Sequence, residues 1–143
     1  MTLALRPAFI DSVLLGSKLH DISQLETKVG EKINFQEING IVAIPVPFEA
    51  TVLSVQAIKI INKANNKRGV IIGTGDDKTK IVEHFGKEHK YPANHVCTAY
   101  LNMIARREGY EDRNTFFARF PDGYKGNVIH WSKFNYNLNL RIS

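Results

Sequence analysis

Thr51–Ile61, TVLSVQAIKII, and Gly69–Gly73, GVIIG, decide how the rest of the chain is read. Both are runs heavy in Val and Ile, which suit a pleated, half-buried surface, and the Asn65-Asn66 pair between them is a turn former. They are expected to be strands. Ile33–Phe35 and Gly40–Ile44 extend the β-rich region toward the N-terminus, with Asn39-Gly40 as a turn. Pro45 and Pro47 lack the N–H a ladder needs and are expected at a strand edge or a connection. The period changes after Gly75-Asp76-Asp77. Val96, Tyr100, Met103 and Ile104 recur at helical spacing, Arg106 and Arg107 fall where they complement the end of the dipole, and Gly109 fits a C-terminal cap.

Outward from this centre, Pro7 to Leu19 reads as a helix ending near Gly16, with Phe9, Val13, Leu14 and Leu15 on its apolar side. Asp112 caps a short second helix carrying Phe116, Phe117 and Phe120, which Pro121-Asp122-Gly123 stops. Val128 to Trp131 is another β run. From Phe134 to Ile142 apolar residues alternate with Asn and Arg, the pattern of a half-buried strand. Strands grouped around a few helices predict an α+β domain with a small curled sheet or barrel, not a doubly wound parallel sheet.

The 143 residues suit one domain, 1–143, and 43% hydrophobic with 23% charged residues excludes disorder and fibrous repeats. The single Cys97 allows no internal disulfide, and with no cleavable leader the expectation is a cytoplasmic protein. The longest apolar stretch, Ile41 to Val55, is broken by Pro45, Pro47 and Glu49 and is shorter than the ~20 residues a bilayer requires, so no membrane partner is expected. Nineteen basic against fourteen acidic residues give +5, compatible with a polyanionic partner and equally with a solvated surface. The oligomeric state is not legible.

His84, His89, His95 and Cys97 crowd fourteen residues without a zinc-site spacing, so neither metal nor cofactor is expected. Cys97, on a helix among apolar neighbours, reads as a buried small hydrophobe rather than a nucleophile. Gly69 to Asp77, GVIIGTGDD, has neither the third glycine of a dinucleotide loop nor the Lys of a P-loop. Lys59, Lys63, Lys67 and Arg68 suggest a phosphate-binding stripe, against which a solvated strand end is the simpler account.

The ends carry the most information. Leu3 to Ser23, LALRPAFIDSVLLGSKLHDIS, sets Gly16-Ser17-Lys18 at the end of the first helix, with Asp21 and Ser23 following. Ile104 to Trp131, IARREGYEDRNTFFARFPDGYKGNVIHW, runs from a helix ending in Glu-Gly-Tyr, through a Phe-rich helix, to a strand closing on His-Trp. Together these resemble the ASCH family of PUA-like domains, in its bacterial and phage form. The family's Gly-x-Lys-x-x-Glu-x-Arg signature stands here as Gly16, Lys18, Asp21 and Ser23, two positions matching, Asp replacing Glu, and Ser replacing Arg.

The resemblance implies a small β-barrel with flanking helices and a cleft that binds RNA or a modified nucleoside. Arg6, Gly16, Ser17, Lys18, Ser23 and Trp131 are the expected binding residues, Arg6 for a phosphate and Trp131 for stacking. A related subgroup hydrolyses N4-acetylcytidine, and its catalytic Lys, Thr and Glu correspond to Lys18, Asp21 and Glu108. In such an amidohydrolase Lys18 is the nucleophile or base, Glu108 its proton partner and Asp21 an orienting group. Asp21 in place of a hydroxyl adds a negative charge that opposes a developing oxyanion. A third reading is an accessory or interaction protein of a mobile element, marked by an exposed apolar patch such as Phe116 or Tyr136. Against all three stands an ion network of Lys18, Asp21 and Glu108 that only pins helices together.

Overall fold

The computed structural model describes residues 1–15, 18–64, 66–84, 93–132 and 135–136. It is a mixed α+β chain in which strands outnumber helices, in line with the sequence expectation. Its contacts divide it into two compact units, residues 1–21, 26–55 and 129–143 forming the first and 22–25 and 56–128 the second. Three strands contribute residues to both: β2 (His20–Ser23), β4 (Val42–Ala64) and β7 (Lys125–Trp131).

In the first unit, β1 (Thr2–Leu5) buries Leu3 and Leu5 on one face and lies parallel to β3 (Lys32–Asn39), which buries Ile33 and Phe35 in the same alternation. Helix α1 (Pro7–Leu14) follows β1, with Pro7 in its first turn, where the missing N–H costs nothing. It buries Ile10 and Val13 and leaves Leu14 and Leu15 exposed, so its inward face is narrower than the apolar run suggested. β3 pairs antiparallel with the first part of β4, and Phe48 and Glu49 of β4 pair with β8 (Asn135–Tyr136). The rest of the alternating tail expected from Phe134 to Ile142 lies outside the described residues. The core joins the β1, β3 and α1 side chains to Phe48, Ala50, Val52, Ile129 and Trp131.

Pro45 and Pro47 lie inside β4, not at its end. The β3–β4 register slips between Asn34 and Gln36, so that Glu49 faces Asn34 and Pro45 faces Gln36. The irregularity absorbs Val46 and Pro47 without asking Pro47 for a ladder donor, which lets one 23-residue strand run through both prolines.

In the second unit, the far part of β4 pairs with β5 (Lys67–Ile72), and β5 with β6 (Thr79–His84), both antiparallel. Gly73 and Gly75 take positive φ in the turn before a single 3-10 turn at Gly75–Asp77. Helix α2 (Ala93–Arg107) ends at Gly109, which adopts φ +94°, as the cap reading required. Its inward stripe is Leu101 and Ala105, with Ile104 partly covered and Glu108 buried just past the helix end, whereas Tyr100 and Met103, expected inside, are exposed. Asp112 caps α3 (Arg113–Phe117) as expected, accepting the Thr115 N–H. Phe116 stacks against Tyr110, Phe117 and Phe120 at 5.0–5.5 Å, and these rings join Ile58, Ile60 and Val70 in the second core.

The strand path β1-β3-β4-β5-β6 has two ends, and no pairing between β1 and β6 occurs among the described residues. Among the described residues the sheet is therefore not closed into a barrel. No helix among the described residues is long and apolar enough to cross a membrane.

Candidate functional site

The Lys18 centre is assembled by the end of α1 and the start of β2. After α1 stops, the Lys18 N–H donates to the Ser12 carbonyl at 3.1 Å, which folds the chain back across the last turn of the helix. This brings the Lys18 side chain inward, where it is 1% exposed, an unusual fate for a lysine. Its ammonium lies 3.3 Å from Asp21 Oδ1, three residues on, and 4.8 Å from the centre of the Phe9 ring. A carboxylate on one side and a π face on another compensate part of the hydration that burial removes. Asp21, 19% exposed, is the open side of the pair.

Arg6, at the entry to α1, places its guanidinium 4.5 Å from the centre of the same Phe9 ring and is itself exposed. Two cations thus share one aromatic side chain, one sealed and one facing solvent. Next along the chain, His20 meets His130 edge-on at 6.2 Å, and the Trp131 N–H donates to the Leu19 carbonyl at 2.9 Å.

Gly16 and Ser17 lie outside the described residues. Ser23 belongs to the second unit, where its hydroxyl accepts the Leu25 N–H at 3.1 Å. Glu108 also belongs to the second unit and is 3% exposed. Trp131 is 1% exposed, packed edge-on against Phe35 at 5.4 Å. Its faces belong to the first core, so it offers no platform for a base. Phe116 is fully buried; exposed apolar side chains include instead Ile41, Val42 and Ile44 at the β3–β4 turn, and Leu15 after α1. Among the described residues no group of three or more His, Cys, Asp or Glu is arranged to hold a metal ion.

A second charged cluster went unrecognised in the sequence. Arg68 on β5 and Glu83 on β6 are direct cross-strand partners. Arg68 Nη2 donates to Glu83 Oε1 at 3.0 Å and to Asn114 Oδ1 at 2.8 Å, while Arg113 Nε lies 2.8 Å from Glu83 Oε2. The Arg68 guanidinium also covers the Phe117 ring at 4.9 Å. Asn62, Lys63, Arg68, Asn114, Phe117 and Ala118 line a cavity of about 440 Å³ here, within the range of small-molecule sites. The sequence signal was present: reading Thr79–His84 as a strand antiparallel to Lys67–Ile72 sets Arg68 opposite Glu83.

Compared with protein-family models, with curated proteins and with solved structures, the chain has no match.

Proposed function

We propose that the Lys18 centre binds RNA or a modified nucleoside. The observation that carries this reading is the buried Lys18 ammonium held between Asp21 and Phe9, with Arg6 exposed on the same ring. Retaining a desolvated lysine costs stability that an apolar side chain would not, so its presence favours a role beyond packing. The partly open Asp21 carboxylate accepts hydrogen bonds from the amino or imino groups of a base edge, and Arg6 supplies a contact to phosphate. The sequence resemblance supports the same ligand class and brings with it the PUA-like barrel as part of the proposal.

Binding is preferred to amide hydrolysis on a specific ground. Where the hydrolase pattern has a hydroxyl, this chain sets a full negative charge 3.3 Å from the lysine, and that charge disfavours a tetrahedral oxyanion nearby. Glu108 lies in the other unit, and the proposal rests on the Lys18 centre alone.

Titration of a fluorescent single-stranded RNA at several salt concentrations, beside chromatographic assay of N4-acetylcytidine, tests the reading. Saturable, salt-dependent binding is expected, with the slope of log K against log salt reduced by about 1 in Arg6→Ala. Asp21→Asn should weaken binding further without unfolding the chain. Turnover of N4-acetylcytidine that disappears in both Lys18→Met and Glu108→Gln replaces this reading with the hydrolase. Absence of any RNA or nucleoside binding rejects it.

A further inference from the structure

We propose that the cavity bordered by Lys63, Arg68 and Asn114 is a second binding site, specific for a phosphorylated small molecule. Two guanidiniums, Arg68 and Arg113, share the single Glu83 carboxylate, one on each oxygen. Arg68 and Glu83 are buried, and Arg113 is the more open of the two cations, its side chain 25% exposed. Lys63 adds a further positive charge at the cavity wall. Cationic and N–H donor groups gathered on one cavity wall favour an anionic ligand.

The neutral groups point the same way. Asn114 uses its side-chain oxygen to accept from Arg68, which leaves its amide N–H groups as donors at the cavity. Asn62 is oriented oppositely: its Nδ2 donates to the Phe117 and Phe120 carbonyls at 2.9 and 2.8 Å, leaving the side-chain oxygen as an acceptor. The lining thus offers guanidinium, ammonium and amide donors for phosphate oxygens, and one acceptor for a hydroxyl or amino group beside them. Glu83 fixes the Arg68 fork, and a fork held in advance loses little freedom on meeting an anion. Phe117 and Ala118 give an apolar wall, and the cavity exceeds what phosphate alone fills. A phosphate ester with a modest organic part suits it.

Lys63 adds an independent sign. It is a non-glycine residue at φ +67°, a conformation that costs a side chain of this kind and suits glycine. Keeping a lysine there sets a basic residue on the cavity lining at the cost of a strained backbone at the β4–β5 register slip.

The site goes beyond the Lys18 reading and stands or falls separately, since none of its residues belongs to that centre. Calorimetric titration of the full chain with cytidine 5′-monophosphate, inorganic phosphate, cytidine and acetate tests it. The monophosphate is expected to bind, inorganic phosphate more weakly, and cytidine and acetate not measurably. Lys63→Gly removes the charge while relieving the turn, and should weaken the monophosphate about tenfold with an unchanged or higher melting temperature. Asn114→Asp, on the surface, should do the same by adding a competing carboxylate, while Arg6→Ala leaves this binding intact. No monophosphate binding at millimolar concentration overturns the proposal, as do equal binding of acetate or unchanged affinity in both variants.

Discussion

The Asp112 carboxylate accepts the Thr115 N–H at 2.9 Å and the Thr115 hydroxyl at 3.0 Å, and these bonds, the backbone one first, hold its pKa below the usual carboxylate range. A carboxyl depressed on folding stabilises the native state at pH values above its unfolded pKa, and that contribution fades as pH falls through the lowered folded value. Asp112→Ala should therefore melt at a lower temperature than wild type at neutral pH, with the gap narrowing below about pH 4. Thermal melts from neutral to strongly acidic pH check this, and a gap independent of pH would refute the ionised cap. The cap was legible because it is local, a side chain and an N–H three residues apart. Lys18 and Asp21 were singled out by the signature they resemble, and the structure pairs them at 3.3 Å. Arg68, Glu83 and Arg113 were not legible together, because fifteen and thirty residues of chain separate the partners, and strand register joins the first pair while the placement of α3 joins the second.

Among the elements, the β5–β6 pair is set by the glycine at its centre. A Cβ on Gly69 would lie 2.1 Å from the Ile81 carbonyl oxygen and 2.7 Å from Val82 Cα, both backbone atoms with no side-chain freedom to yield. Gly69→Ala should destabilise the fold by a few kcal/mol and expose β5 and β6 amides to hydrogen exchange before those of β1 and β3. Uniform exchange would mean the close approach is readily relaxed. Because this pair carries Arg68 and Glu83, the substitution should also abolish the monophosphate binding proposed above. Several element types followed from composition and period, but the strands β1 and β6, one boundary and one helix face did not. The prolines divide β4 in the sequence while a register slip keeps it whole in the structure. In α2 the apolar Tyr100 and Met103 suggested one face, yet tertiary packing chose Leu101 and Ala105, smaller residues that let the helix seat against the second core.

For the whole molecule, the division into two units does not follow the order of the chain. The first core needs Leu3, Leu5, Ile33, Phe35 and Phe48 from the N-terminal third together with Ile129 and Trp131 from near the other end. A fragment of residues 1–55 lacks the last two and should show no cooperative unfolding transition by circular dichroism, whereas a sharp melt in that fragment would mean the late strand is dispensable. No run of sequence announced this, since one domain is the natural reading of 143 residues without a linker. The interleaving also bears on birth of the protein. Translation delivers nearly all of the second unit as one uninterrupted stretch, so its core can close while the ribosome is still adding residues. The first unit must hold its earliest apolar side chains unsealed until Ile129 and Trp131 have been made.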